Sequence, residues 1–207
     1  MNFEKYQKIN SVFKRDNNGK FTEEFSQPEF KYLKECIWDF DEKIDGTNIR
    51  IHWDGQGTIT FGGRTDRAQL PADLYKELSN LFKTENLLEI FEETEVILYG
   101  EGYGAKIQKV GSLYIPNGVS FVLFDIKVGN MWLKKDDVRN LADKLGLLAT
   151  PSYGEGTLSD AIKITQKGFN SHWGDFPAEG LILRPKIQLF DRMGKRVITK
   201  LKIKDWK

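Results

Sequence analysis

Apolar and polar residues alternate strictly along Ile49-Arg50-Ile51-His52-Trp53. Ile49, Ile51 and Trp53 share one face and Arg50 and His52 the other, the period-two mark of a half-buried strand. Gly55-Gln56-Gly57 then predicts a hairpin turn into Thr58-Ile59-Thr60-Phe61. The period changes further on. Pro71 opens a predicted helix to about Phe82, with Leu74, Leu78 and Leu81 on one stripe, and Asn86 to Phe91 adds a helical turn or two. Val96–Tyr99 and Val119–Val128 read as buried strands. Lys134–Leu145 reads as an amphipathic helix ended by Gly146, and Leu158–Lys167 as another. Gly180–Arg184 and Val197–Ile203 read as the last strands. In the final one Ile198, Lys200, Lys202 and Lys204 share a face, while Val197, Thr199, Leu201 and Ile203 face the core. Hairpins with interspersed helices and no regular βαβ rhythm point to an α+β fold of mostly antiparallel sheets with flanking helices. No repeat or Pro/Ser-rich linker interrupts the 207 residues, which suit a single domain, 1–207.

Composition trims the functional classes. With 40% hydrophobic residues the chain can bury a sizeable core. No apolar run approaches the roughly 20 residues of a membrane span, so no membrane partner is expected. The start Met1-Asn2-Phe3-Glu4-Lys5 lacks an apolar signal region, and a cytoplasmic location is expected. The single cysteine excludes an internal disulfide framework and a cysteine zinc site. Cys36 lies in the apolar run Cys36-Ile37-Trp38-Asp39-Phe40 and is expected to be a small core residue; Trp38 and Trp53 are expected in the core too. His52 and His172 lack ligand spacing. A net charge of +1 gives no global signature of nucleic-acid binding, yet residues 192–207 hold seven bases and one acid. That tail is either a phosphate-binding stripe or an ordinary solvated strand face.

Lys43-Ile44-Asp45-Gly46 follows the apolar run. A lysine at a strand end beside an acid and a glycine can serve as a covalent nucleophile, although the same four residues also describe a surface lysine. Free lysine is only about 0.04% neutral at pH 7, so a nucleophilic one needs desolvation or neighbouring cations. Arg64, after Gly62-Gly63, offers a fork suited to phosphate or ribose oxygens, or is simply a turn arginine. Leu98-Tyr99-Gly100-Glu101 is expected to end a strand in a carboxylate, followed by a glycine-rich loop, Gly102-Tyr103-Gly104-Ala105-Lys106. In Phe121-Val122-Leu123-Phe124-Asp125 the aromatic Phe124 and the acid Asp125 are adjacent and expected on opposite faces. Glu179 opens an otherwise apolar strand, a position suited to a metal or a cation because an unpaired buried carboxylate is costly. Lys200, Lys202 and Lys204 would present ammonium groups to a triphosphate and lower the pKa of a nearby Lys43.

Taken in order, these segments resemble the nucleotidyltransferase motifs of the covalent-lysine superfamily, which holds ATP-dependent DNA and RNA ligases and mRNA-capping guanylyltransferases. Glu42-Lys43-Ile44-Asp45-Gly46-Thr47-Asn48, Gly100-Glu101 with Ile107-Gln108-Lys109, Phe121 to Ile126, Glu179 to Arg184 and Lys200-Leu201-Lys202 are most similar to the RNA ligase 2 family. The resemblance spans about Asp41 to Lys204. It implies an ATP-grasp-like nucleotidyltransferase domain and a lysyl-AMP intermediate on Lys43. By position it implies Glu42 beside the adenine and Asn48 at the nucleotide. It implies Arg64 and Glu101 on the ribose or 5′-phosphate, Phe124 stacked on the adenine, and Lys200 and Lys202 on the α-phosphate. Glu179 would help bind Mg2+ or Mn2+ with ATP. The AMP would pass to an RNA 5′-phosphate, which a 3′-hydroxyl then joins. Lys106 and Lys109 would touch the RNA end or nicked duplex, though solvated loop lysines explain them almost as well.

Family members usually carry a C-terminal helical domain or OB-fold, whereas this sequence stops at Lys207. The expectation is a stand-alone adenylyltransferase domain without either, with an accessory protein replacing the missing surface for strand sealing. The alternatives are a capping-type guanylyltransferase, a DNA ligase core, or a non-catalytic nucleic-acid-binding module.

Overall fold

The structure, a computed structural model, describes residues 3–206. In chain order the strands and helices begin with β1 (Asn10–Ser11), β2 (Phe13–Arg15), β3 (Phe21–Phe25) and α1 (Pro28–Tyr32). There follow β4 (Trp38–Lys43), β5 (Thr47–Trp53), β6 (Ile59–Gly62), α2 (Ala72–Leu81) and α3 (Thr84–Phe91). Next come β7 (Val96–Gly104), α4 (Gly111–Tyr114), β8 (Val119–Val128), β9 (Met131–Trp132), α5 (Lys135–Lys144) and β10 (Leu148–Ala149). The last are β11 (Ser152–Gly156), α6 (Leu158–Lys167), β12 (Gly180–Pro185), β13 (Thr199–Lys202) and a 3₁₀ turn, Ile203–Trp206. This is the α+β class, with antiparallel pairing throughout except at two short parallel contacts, β1 with β13 and β10 with β8. Among the described residues no helix is long and apolar enough to cross a membrane.

The chain divides into two compact units. The first contains residues 3–6 and 45–150, the second residues 7–44 and 151–206, so the chain changes unit directly after Ile44.

The first unit is built on a sheet in the order β10-β8-β7-β5-β6, with β9 beside β8. Its core face carries Ile49, Ile51, Trp53, Leu98, Phe121 and Leu123, covered by Leu74 and Leu78 of α2, Leu87 of α3 and Val138 of α5. Here the predicted strands and helices stand, and the Gly55–Gly57 turn joins β5 to β6. The expected glycine-rich loop does not. β7 runs on to Gly104, so Glu101 sits within the strand, paired with Asn48 on one side and Val122 on the other. The glycines serve packing: a Cβ on Gly100 would lie 2.1 Å from the Phe121 ring, and one on Gly102 2.6 Å from Leu74. The expected split of Phe124 and Asp125 also fails. The register of β7 and β8 shifts between Tyr99 and Gly100, leaving Phe124 as the extra residue of a bulge. Both residues therefore reach Tyr6: the Phe124 ring lies edge-on at 5.0 Å, and Asp125 accepts the Tyr6 hydroxyl at 2.7 Å.

The second unit has a sheet in the order β1-β13-β12-β4-β11 and a small β2–β3 hairpin. One sheet face is apolar, with Trp38, Phe40, Leu181, Leu183 and Leu201 packed on Phe30 of α1 and Leu158 and Ala161 of α6. α6 starts at a capping box in which Thr157 and Asp160 satisfy each other's backbone N–H. Residues 7–35 show no strict alternation because their strands have two to five residues; Phe13 and Phe21 of the hairpin pack instead on Trp206, and Phe25 on Phe13. Cys36 is exposed, contrary to expectation, because β4 begins two residues later at Trp38. Lys204 likewise leaves the expected strand face, because the chain turns into a 3₁₀ helix at Ile203.

Candidate active site

The pleat of β4 sorts its residues: Trp38, Phe40 and Glu42 point to the apolar side of the second unit's sheet, and Asp39, Asp41 and Lys43 to the other. Register then assembles a charged cluster on that other side. Gly180 of β12 is paired with Lys43 of β4 and with Lys202 of β13, so it lies directly between the two lysines. Having no side chain, it leaves them room to converge on the preceding residue, Glu179. One carboxylate oxygen of Glu179 is 2.7 Å from Lys43 Nζ and the other 2.5 Å from Lys202 Nζ. A Cβ on Gly180 would stand 2.0 Å from the Leu201 carbonyl oxygen. Lys200 is two residues up the same strand, ~6.6 Å from Lys202 along the backbone, and Arg184 faces Asp41 at 3.4 Å. The structure thus joins three of the predicted residues, Lys43, Glu179 and Lys202, in contact, with Lys200 beside them.

Glu42 lies on the opposite side of β4 and is fully buried. Its carboxylate accepts the Ser171 hydroxyl at 2.6 Å and the backbone N–H of His172 at 2.9 Å, and sits 2.9 Å from the His172 ring Nδ1. Nothing in the sequence pattern ties residues 171 and 172 to residue 42, 129 and 130 positions away. Only an acid on the face of β4 that also bears Trp38 and Phe40 signals that a distant partner must exist.

The polar face of the first unit's sheet carries Asn48, Glu101 and Phe124, and the remaining predicted residues lie on that unit's loops. Asn48 and Glu101 are opposite each other on β5 and β7, with side chains close enough to act on one ligand. The buried Asn48 Oδ1 has no hydrogen-bond partner among the described residues. Phe124, half-buried, shares this unit. Arg64 is exposed on the loop after β6. Lys106 and Lys109 are exposed around buried Ile107. Lys106 and Gln108 both have positive φ, 65° and 57°, a sparsely populated conformation for these residue types. Gln108 donates to the Gly46 carbonyl at 3.0 Å, fastening this loop to the turn after Asp45.

Arg50 escapes sequence reasoning because alternation places it on a polar face but cannot reveal that this face is covered. The guanidinium is buried and donates to the carbonyls of Gly63 and Phe3, both at 2.7 Å, and to Asp66 at 3.0 Å. It thereby anchors the start of the Arg64 loop. Lys5 and Arg50 hold the Asp66 carboxyl below its ordinary pKa. Burial raises the Tyr99 phenol well above its ordinary value, keeping it a donor to the Glu4 carbonyl at 3.1 Å.

Among the described residues no group of three or more His, Cys, Asp or Glu gathers as metal ligands. Glu179 is a single carboxylate facing ammonium groups. It fits a divalent ion as one ligand beside substrate phosphates and water, the common way Mg2+ is held at nucleotide sites.

A protein-family model described as RNA ligase matches residues 37–202. No curated protein matches the chain significantly. Among solved structures, the Naegleria gruberi RNA ligase with PPi aligns at 19% identity with a TM-score of 0.67, covering 95% of this chain and 61% of that one. A point mutant of the same ligase with ATP and Mn aligns at 19% identity with a TM-score of 0.66, covering 84% and 52%. The chain therefore spans between half and three fifths of the length of these structures. At such identity the likeness shows a shared fold.

Proposed function

The chain belongs to the RNA ligase family, and from that premise we propose that it is an ATP-dependent RNA ligase acting through a covalent AMP on Lys43. The observation that carries this reading is the contact of Lys43, Glu179 and Lys202 around Gly180. In the first step Lys43 Nζ, having lost its proton, attacks the α-phosphorus of ATP. A phosphorus–nitrogen bond forms, the bond to the β-phosphate oxygen breaks, and pyrophosphate leaves. Glu179 holds the lysine at the end of β4. Lys202, on the same carboxylate, supplies positive charge where negative charge grows on the α-phosphate, with Lys200 next to it. Mg2+ or Mn2+ brought with the triphosphate would neutralise phosphate charge, and Glu179 would help hold it. The family resemblance assigns Asn48, Glu101 and Arg64 to the ribose and phosphate and Phe124 to the base.

An oxygen of an RNA 5′-phosphate then takes the AMP and frees Lys43. A 3′-hydroxyl attacks the activated 5′-phosphate, forming the phosphodiester and releasing AMP. RNA ends or a nicked duplex are the proposed acceptors, with Lys106 and Lys109 as added strand contacts and a partner protein supplying further grip.

Incubation with α-labelled ATP and Mg2+ tests the first step. The protein acquires label and releases pyrophosphate, and the Lys43→Ala variant acquires none. Label persisting in that variant removes Lys43 as the nucleophile. Label taken only from α-labelled GTP turns the reading to a capping-type guanylyltransferase. RNA and DNA with a preformed 5′-adenylate, nicked or single-stranded, then test sealing separately.

A further inference from the structure

The second unit contains a groove of ≈ 700 Å³, of whose lining the reaction above uses only Lys200 and Lys202. Its basic lining is Lys8, Arg15, Lys200, Lys202 and Lys204, against one acid, Asp205. That acid is engaged by Arg15, so it does not offset the remaining charge of the groove. The topology explains why these bases meet. β1 joins the sheet in parallel beside β13, with Ser11 opposite Lys200, which brings the preceding Lys8 to the groove. The 3₁₀ turn after β13 takes Lys204 off the strand face, yet it still lines the groove. Lys8 and Lys204 are both exposed.

The rest of the lining is not what a small inorganic anion needs. Ile9 and Phe13 give apolar surface, and Asn10, Ser11 and Ser26 give polar groups between the cations. Cations along a groove with apolar and aromatic surface interleaved suit a single nucleic-acid strand, whose phosphates, sugars and bases require all three. The groove also ends where a strand would be useful, because Lys202 lines it and simultaneously contacts Glu179, the partner of Lys43.

We propose that this groove, walled by residues 8–15 and by Lys200 to Lys204, binds the sugar–phosphate backbone of the RNA strand whose 5′ end is brought to Lys43. The identity of the strand as RNA rests on the ligase reading; the phosphate-binding groove does not.

The test is the Lys8→Ala/Lys204→Ala double variant of the full chain. Lys8 lies outside the nucleotide site, and Lys204, expected on the triphosphate-facing strand, leaves that face in the 3₁₀ turn. The charge-matched control is Lys76→Ala/Lys144→Ala, two exposed lysines on α2 and α5. Binding of a 5′-phosphorylated single-stranded RNA is followed by fluorescence anisotropy over a salt series, and lysine labelling by α-labelled ATP is followed in parallel. Two lost phosphate contacts lower the slope of log affinity against log salt by about 1.4 and the affinity in 0.1 M salt by roughly 25-fold. Labelling rate and the KM for ATP stay as in the unaltered protein, and the control binds RNA within about twofold of it.

Unchanged RNA affinity and slope in the Lys8/Lys204 variant overturn the proposal, as does an unaltered protein that binds no single-stranded RNA. A raised KM for ATP with unchanged RNA binding assigns the groove to the triphosphate instead. An equal loss in the control reduces the effect to net charge. If the unaltered protein takes no label from ATP while the variant still loses RNA binding, the ligase reading fails and the groove stands.

Discussion

Replacing Glu42 by alanine separates two roles that its place beside Lys43 confounds. The carboxylate is buried and accepts from Ser171 and from the backbone N–H of His172, with the His172 ring Nδ1 also at 2.9 Å. Deleting it leaves donors without an acceptor, each costing about 1–3 kcal/mol when water cannot replace the bond. Ser171 is buried and bears its full cost, whereas His172 is exposed and recovers part of its own through water. The sum is about 3 kcal/mol. For a chain of this size each kcal/mol moves Tm by roughly 2–4 °C, so Glu42→Ala melts about 6–12 °C lower in thermal unfolding followed by circular dichroism. Glu42→Gln keeps one carbonyl oxygen as acceptor and loses less than half of that. The companion assay is the KM for ATP in lysine labelling below the melting range. A melting temperature within about 2 °C of the unaltered protein, together with a raised KM, refutes the reasoning and makes Glu42 a nucleobase ligand rather than the anchor of residues 171 and 172.

Gly180→Ala places a Cβ 2.0 Å from the Leu201 carbonyl; the expected outcome is separation of β12 from β13, a lower melting temperature and at least a tenfold slower lysine labelling. Gly100→Ala meets the Phe121 ring at 2.1 Å and the Val122 carbonyl at 2.4 Å, an overpacking that costs about 1–3 kcal/mol or more and lowers the urea midpoint. Thr157→Ala removes the cap of α6 at a cost of about 1 kcal/mol. Hydrogen bonds from Thr157 hold the Asp160 carboxyl below its ordinary pKa of 3.8, so that part of the stabilisation is complete above pH 3.8 and is lost as pH falls through the lowered folded value; the gap between Thr157→Ala and the unaltered protein in urea melts narrows in that acid range. Cys36, exposed two residues before β4, reacts with a thiol reagent at native pH without unfolding, and a thiol that reacts only in denaturant contradicts its placement.

The helices were legible because each buries one stripe. Leu74 and Leu78 of α2, and Leu158 and Ala161 of α6, fall where a 3.6-residue period puts them. β5 and β8 were legible for the equivalent reason of period two or continuous apolarity. Three features were not, and each has a physical cause. Gly100 and Gly102 look like loop residues, but their absent side chains make room for Phe121 and Leu74, which are distant in sequence. A bulge at Phe124 shifts alternation by one residue and leaves no local mark in an apolar strand. The strands β1 to β3 are too short for a period, and β1 exists because β13 offers it an edge 189 residues away.

The candidate site shows the same division more sharply. Period two along β13 and the acid at the mouth of β12 were readable, so Lys200, Lys202 and Glu179 could be named. Their contact with Lys43 depends on register, which no single strand encodes. In the observed pairing Lys43, Gly180 and Lys202 form one row across three strands. A slip of β12 by one residue would set Leu181 between the lysines and turn Ile182 and Arg184 toward the apolar face. Burying the Arg184 charge there, while exposing Leu181 and Leu183, makes that register unfavourable by several kcal/mol. The apolar residues packed against α6 therefore fix the position of the charged row on the other face. It follows that Leu181→Asp or Leu183→Asp, which touch none of the lysines' ion pairs, disperse the Lys43–Glu179–Lys202 cluster by undoing the register beneath it. A folded Leu183→Asp variant that still labels Lys43 at the full rate would show that the cluster holds without that support.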